Sequence, residues 1–187
     1  DPPKSTLHLS GSGTSTAVGQ CVRVAPEPRR SDLLVVAFDG SPARWLDGWR
    51  TAVGDPPRAT FVVTDAASWS AGHLQDRLET VAAADTDVRL ELVDSPGNLT
   101  DLGVTLTTLL DAHDEYDPRT ILCLQSLTVL LQYAPLEDVS QFLHTLVGHL
   151  RRVDATGHFH LHEKAHDERT VASLRPPVDR VRRGGDA

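Results

Sequence analysis

Thr6-Leu7-His8-Leu9-Ser10-Gly11-Ser12-Gly13-Thr14-Ser15-Thr16 runs from a short apolar segment through a glycine-rich turn into helix-compatible sequence. In an open α/β sheet, a strand, a glycine turn and a helix in that order form a phosphate cradle, because the helix N-terminus presents free N–H groups and a partial positive charge. A working P-loop also needs G-x-x-x-x-G-K-[ST], with a lysine for the terminal phosphates and a hydroxyl for Mg²⁺. Counting from Gly11 puts Thr16 at the second glycine and Ala17 at the lysine; counting from Gly13 puts Val18 and Gly19 there. Neither frame works. The chain's two lysines, Lys4 and Lys164, both lie elsewhere. Gly11, Ser12, Gly13 and Thr14 remain candidates for holding an anion through backbone N–H groups. The plainer reading is a strand-to-helix turn that uses glycine for positive φ.

Outward from this turn, strand-like runs alternate with helical periodicity. The apolar runs are Thr6–Leu9, Leu33–Phe38, Ala59–Thr64, Val88–Val93, Thr120–Leu124 and His158–Leu161. Most are continuous rather than alternating, as expected for strands covered on both faces. Ser41-Pro42 offers a cap and a first-turn proline for a helix carried by Trp45, Leu46, Trp49 and Val53. Leu74, Leu78 and Val81 mark a second helix, and Asn98 caps a third through Leu102, Leu106, Leu109 and Leu110. The longest stripe is Leu136, Val139, Leu143, Leu146, Val147, Leu150 and Val153, with Arg151 and Arg152 at its dipole-negative end and a stop expected at Gly157. Asp65–Gly72, Asp1–Ser5 and Arg182–Ala187 read as irregular. The pattern predicts one α/β domain over 1–187, a mostly parallel sheet flanked by helices on both faces, with ligands beyond the carboxyl ends of the strands.

Composition narrows the function classes. The 187 residues suit one domain that buries roughly 70% of its unfolded surface, and no run of 18 apolar residues interrupts them. A cytoplasmic protein without a membrane segment is expected. The net charge of −8 argues against sequence-independent nucleic-acid binding, which needs clustered cations. Asp outnumbers Glu 19 to 7 and Arg outnumbers Lys 16 to 2. That balance fits a halophilic archaeon, where hydrated carboxylates maintain solubility, or more simply a GC-rich genome. Cys21 and Cys123, in apolar surroundings, read as buried free thiols.

The stretch Thr120-Ile121-Leu122-Cys123-Leu124-Gln125-Ser126-Leu127-Thr128-Val129-Leu130-Leu131-Gln132-Tyr133 resembles the Walker B region of KaiC-like members of the RecA superfamily, where a hydrophobic strand ends in Asp-Ser and is followed by a Thr-containing segment and Gln-Tyr. Leu34–Phe38 with Asp39-Gly40-Ser41-Pro42 resembles the strand that ends at the acidic catalytic position of those ATPases. Ala165-His166-Asp167-Glu168-Arg169-Thr170-Val171-Ala172 and Leu174-Arg175-Pro176 are similar to small haloarchaeal HTR-like, KaiC-like proteins. The likeness spans about Leu7 to Asp179 and implies a RecA/P-loop-like three-layer sandwich. It also implies a degenerate nucleotide site formed by Gly11, Ser12, Gly13, Thr14, Asp39 and Gln125.

The departures decide the expected chemistry. Gln125, a neutral amide, stands where that family has its magnesium-organising Asp, and Asp39 is one methylene shorter than the usual Glu. Two charges at 4 Å interact by about 4 kcal/mol at an effective dielectric of 20, so a missing lysine weakens triphosphate binding roughly thousandfold. Without metal ligands the phosphoryl-transfer clamp is also lost. The expectation is a catalytically inactive regulatory or partner-binding module in signalling or transcription-linked regulation, with no cofactor, and with a protein partner or self-association. A nucleotide sensor without hydrolysis is the alternative.

A different chemistry is offered by His158, His160 and His162, which alternate on one face of a strand with Glu163, His166 and Asp167 close behind. Three imidazoles and a carboxylate suit Zn²⁺, but alternate residues on a strand stand roughly 6.5 Å apart, too far to chelate closely. Structural histidines are the plainer reading, with His162 and His166 best placed for ligand contact. Asp39 and Asp94, each closing a strand, read as an acid–base pair or, more simply, as helix caps. Trp45 and Trp49 read as core, Trp69 as an exposed contact, and Arg180, Arg182 and Arg183 as a solvated basic tail.

Overall fold

The computed structural model describes residues 3–11, 14–38, 41–64, 71–114 and 119–184. Ser12, Gly13, Asp39, Gly40 and Trp69 therefore lie outside the described residues. The strands are β1 (Ser5–Ser10), β2 (Asp32–Ala37), β3 (Arg58–Thr64), β4 (Asp87–Val93), β5 (Thr120–Gln125), β6 (Thr156–His162) and β7 (Arg180–Arg183). They pair in parallel throughout, in the order β4-β3-β2-β5-β6-β1-β7. The helices are α1 (Thr14–Val24), α2 (Pro42–Val53), α3 (Ala71–Val81), α4 (Leu99–Asp114), α5 (Leu127–Tyr133), α6 (Leu136–Arg152) and α7 (Glu168–Leu174). This is the α/β three-layer architecture of the RecA/P-loop-like type.

The period-2 alternation of the strands feeds two separate cores. On one face Val35, Phe61 and Cys123 meet Cys21 of α1, Trp45 and Trp49 of α2 and Leu78 of α3. On the other, Leu7, Leu9, Leu122, Leu124 and Phe159 meet α4, α5, α6 and α7. Strands β2, β5 and β6, buried on both sides, are the continuous apolar runs of the sequence. The edge strand β4 instead alternates, with Arg89 and Glu91 exposed or half-exposed. Each large apolar side chain so buried contributes about 1.5–3 kcal/mol.

Local signals explain most boundaries. Ser41 caps α2, accepting from Arg44 N at 3.4 Å, and Gly54 closes that helix at φ 98, a conformation that suits glycine. Asn98 caps α4 by accepting from Asp101 N at 3.1 Å. Helix α6 does not run to Gly157. It ends at Arg152, and the chain turns through Asp154 at φ 55. Gly157 sits inside β6 because a Cβ there would meet Leu150 Cδ1 at 2.4 Å.

The termini also depart from the irregular ends expected of them. Ser5 opens β1, Ala71 and Gly72 open α3, and the arginine tail forms β7 against β1. Asp179 holds that edge in place. Its carboxylate accepts from Lys4 N at 2.9 Å, Ser5 N at 3.0 Å, Ser5 Oγ at 3.0 Å and Arg151 Nη2 at 2.6 Å. Burial pushes the Asp179 carboxyl up, but these donors outweigh it and hold the group below its usual range. Asp179→Asn is expected to cost about 2 kcal/mol in a urea titration. It should also speed amide exchange in 180–183 before the rest of the sheet.

Candidate functional site

Ser10, Gln125 and His162 are the last residues of β1, β5 and β6. Chain direction reverses between β2, which leads to β3, and β5, which leads to β6, so this carboxyl edge is the switch point at which such sheets hold ligands. A cavity of about 310 Å³ opens here, lined by Ser10, Gly11, Ala17, Gln125, Thr128 and His162 among others. It brings Gly11 together with Gln125. Thr14 opens α1 beside it, and Asp39 follows β2, whose Ala37 is in register with Gln125. Ala17, in the lysine frame counted from Gly11, is buried in the cavity wall and supplies no charge.

Gln125 is 3% exposed, and its Oε1 accepts a hydrogen bond from Trp45 Nε1–H at 2.8 Å. Its acceptor oxygen therefore serves the core between β5 and α2 rather than pointing at a ligand. Ser126 caps α5 by accepting from Val129 N at 3.3 Å, and the Gln125–Ser126 peptide bond is cis. Thr128 of α5 ties down the end of β6: its Oγ1 accepts from His162 N at 2.9 Å and shares a hydrogen bond with His166 Nε2 at 3.0 Å. His162 and His166 thus stand at the strand end as expected.

The other histidines are interior, and they do not converge. His158 Nδ1 shares a hydrogen bond with His8 Nε2 at 3.1 Å, and His8 stacks on His160 with ring centres 4.8 Å apart. His160 Nδ1–H donates to Gln20 Oε1 at 3.1 Å, which leaves Nε2 to accept from Cys21 Sγ at 3.2 Å. The Cys123 thiol in turn donates to Cys21. Burial drives the pKa of His158 down to about 3 and that of His160 well below its ordinary value, with neighbouring His8 adding to both. Burial also pushes the Cys21 thiol up, reinforced by Cys123. Both cysteines are free, as the sequence indicated. Among the described residues no group of three or more His, Cys, Asp or Glu is arranged to hold a metal ion.

Sequence reasoning missed His8 and Gln20. The signal was present for His8, which alternates with Leu7 and Leu9 as His160 does with Phe159 and Leu161. Asp94 follows β4, which β3 separates from β2, so its strand is two places from the one before Asp39. A wider groove of about 670 Å³ lies between α4 and α6, away from the strand ends, beside the exposed Tyr133.

The model of one protein family, a family of unknown function designated DUF7504, matches residues 5–182. The chain belongs to that family. The match begins with β1 and ends in β7, so it takes in the whole sheet and every strand end that frames the cavity. No curated protein matches the chain. Membership carries no activity with it. Among the described residues no helix is long and apolar enough to cross a membrane.

Proposed function

We propose that this chain is a RecA/KaiC-like domain that no longer turns over nucleotide and serves as a cytoplasmic regulatory or partner-binding module. One observation carries the reading: Gln125, where the resemblance places a magnesium carboxylate, is buried and bonded to Trp45. A position that supplied a metal ligand would keep an anionic oxygen facing the cavity. Here the side chain is neutral and its acceptor is used by the core. Ala17 adds to this, since a methyl group beside the cavity gives a triphosphate nothing to pair with. The partner-binding half of the reading rests on the resemblance, and sedimentation velocity of the purified chain checks whether the partner is a second copy.

With Mg-ATP, the expected result is no phosphate release above a buffer control and no calorimetric heat of binding in the micromolar range. Micromolar binding without turnover would overturn the module reading in favour of a nucleotide sensor. That alternative draws its support from the cavity itself, which offers Ser10 and Thr128 hydroxyls beside Gly11. Turnover would remove both.

A further inference from the structure

On the far side of β1 from the Gln125 cavity, a second cavity of about 200 Å³ lies between α1 and the edge strand β7. We propose that it is a binding site for a phosphate-class oxyanion. Three turns of α1 contribute Thr16, Gln20 and Arg23, at the i, i+4, i+7 spacing that puts them on one stripe. The sheet contributes His8 and Arg182, neighbours in parallel register whose side chains emerge on the same face, the face α1 covers. Ser10, Arg183 and Gly184 complete the polar lining.

The charge balance here runs against the rest of the molecule. The chain carries a net charge of −8, yet three arginines and no carboxylate line this cavity. Arg183 is already paired with Glu163 at 3.0 Å, which leaves Arg23 and Arg182 as the cations that define the site. Both act on the floor of the cavity: burial, then Arg182 and Arg23, lower the pKa of His8 to about 4, so its imidazole stays neutral.

Gln20 is oriented by its oxygen, which accepts from His160 Nδ1–H at 3.1 Å and from Ser10 Oγ at 3.3 Å. That arrangement turns the amide's N–H₂ end into the donor available to a ligand. Two guanidinium forks, a hydroxyl and an amide donor match a tetrahedral oxyanion, which accepts from several directions. The volume corresponds to roughly six or seven water molecules, enough for a phosphate group and not for a nucleotide. The site is independent of the nucleotide-site reading, since it shares only Ser10 with that cavity.

The test titrates inorganic phosphate into the full chain at constant ionic strength against chloride. Calorimetry and the ring resonances of His8 give the two readouts. Saturable binding with a perturbed His8 ring is expected. Arg23→Gln, at an exposed position on α1, and Arg182→Gln should each weaken affinity at least tenfold, with Arg182→Lys retaining part of it. Gln132→Ala, in the other cavity, should leave affinity unchanged. The proposal is overturned if the wild-type chain shows no saturation, if chloride competes equally, if Arg23→Gln binds as the wild type does, or if Gln132→Ala abolishes binding.

Discussion

Lowering the pH from 7 to 5 at fixed salt is expected to remove several kcal/mol of folding stability, measured as the urea midpoint by circular dichroism. The cause is a set of histidines folded in neutral form. Burial lowers the pKa of His8 and His113 from 6.5 to about 4 and that of His158 to about 3, and that of His160 moves in the same direction. The sign follows from which state takes up protons. Between pH 6.5 and 4 the unfolded chain binds a proton at each site and the folded chain does not, so stability is full above 6.5 and falls with pH. Each site costs about 1.4 kcal/mol per pH unit within its window, or about 2 kcal/mol by pH 5.

The surroundings modify the total without reversing it. His8, His158 and His160 touch one another, so a first proton there makes the next harder to add and the three behave as a unit. They face Arg23 and Arg182, which oppose protonation. His113 lies 3.8 Å from Asp32, in a site that also holds Arg58 and Asp87; burial pushes the Asp32 carboxyl up, so its compensation is partial. With the triad counted as one group and His113 as another, about 4 kcal/mol is at stake against a typical total of about 5–15 kcal/mol. His158→Leu should flatten the pH dependence, because it removes the fully buried ring whose Nε2 has no partner. A urea midpoint that stays level between pH 7 and 5 would contradict this account.

How far the sequence disclosed these features depends on what each element needs. The strands of the sheet centre were legible because burial on both faces demands unbroken apolar runs. The edge strand β7 was not, since Arg180-Val181-Arg182-Arg183 has the composition of a solvated tail. It becomes a strand because β1 leaves a ladder to be paired and Asp179 anchors the approach. Helices α5 and α7 span seven residues each, too short for a 3.6-residue period to stand out. Asp167, which caps α7 by accepting from Thr170 N at 2.8 Å, was the readable sign that went unused. At the candidate site, Gly11 and Gln125 could be nominated from motif spacing. The bond between Trp45 and Gln125, 80 positions apart, depends on how α2 lies over β5, which no local pattern encodes.

That bond supplies the second large effect. Gln125→Asp restores the acidic residue type that the resemblance places at this strand end, and it is expected to destabilise the fold by about 3–5 kcal/mol at pH 7. Two losses add. The shorter side chain withdraws the acceptor from Trp45 Nε1–H, and the carboxylate is held in a position that is 3% exposed. A buried carboxyl has a raised folded pKa, so the cost falls as the pH drops and the carboxyl takes a proton, opposite in sign to the histidine effect. Gln125→Glu keeps the reach to Trp45 and should cost less. A double-mutant cycle between Gln125→Leu and Trp45→Phe should return a coupling of about 1–2 kcal/mol, the mark of a direct buried contact. If Gln125→Asp instead folds as stably as the wild type, or if millimolar Mg²⁺ raises its melting temperature by several degrees, the strand end has kept a metal-ready geometry. The claim that the core has absorbed this position would then fail.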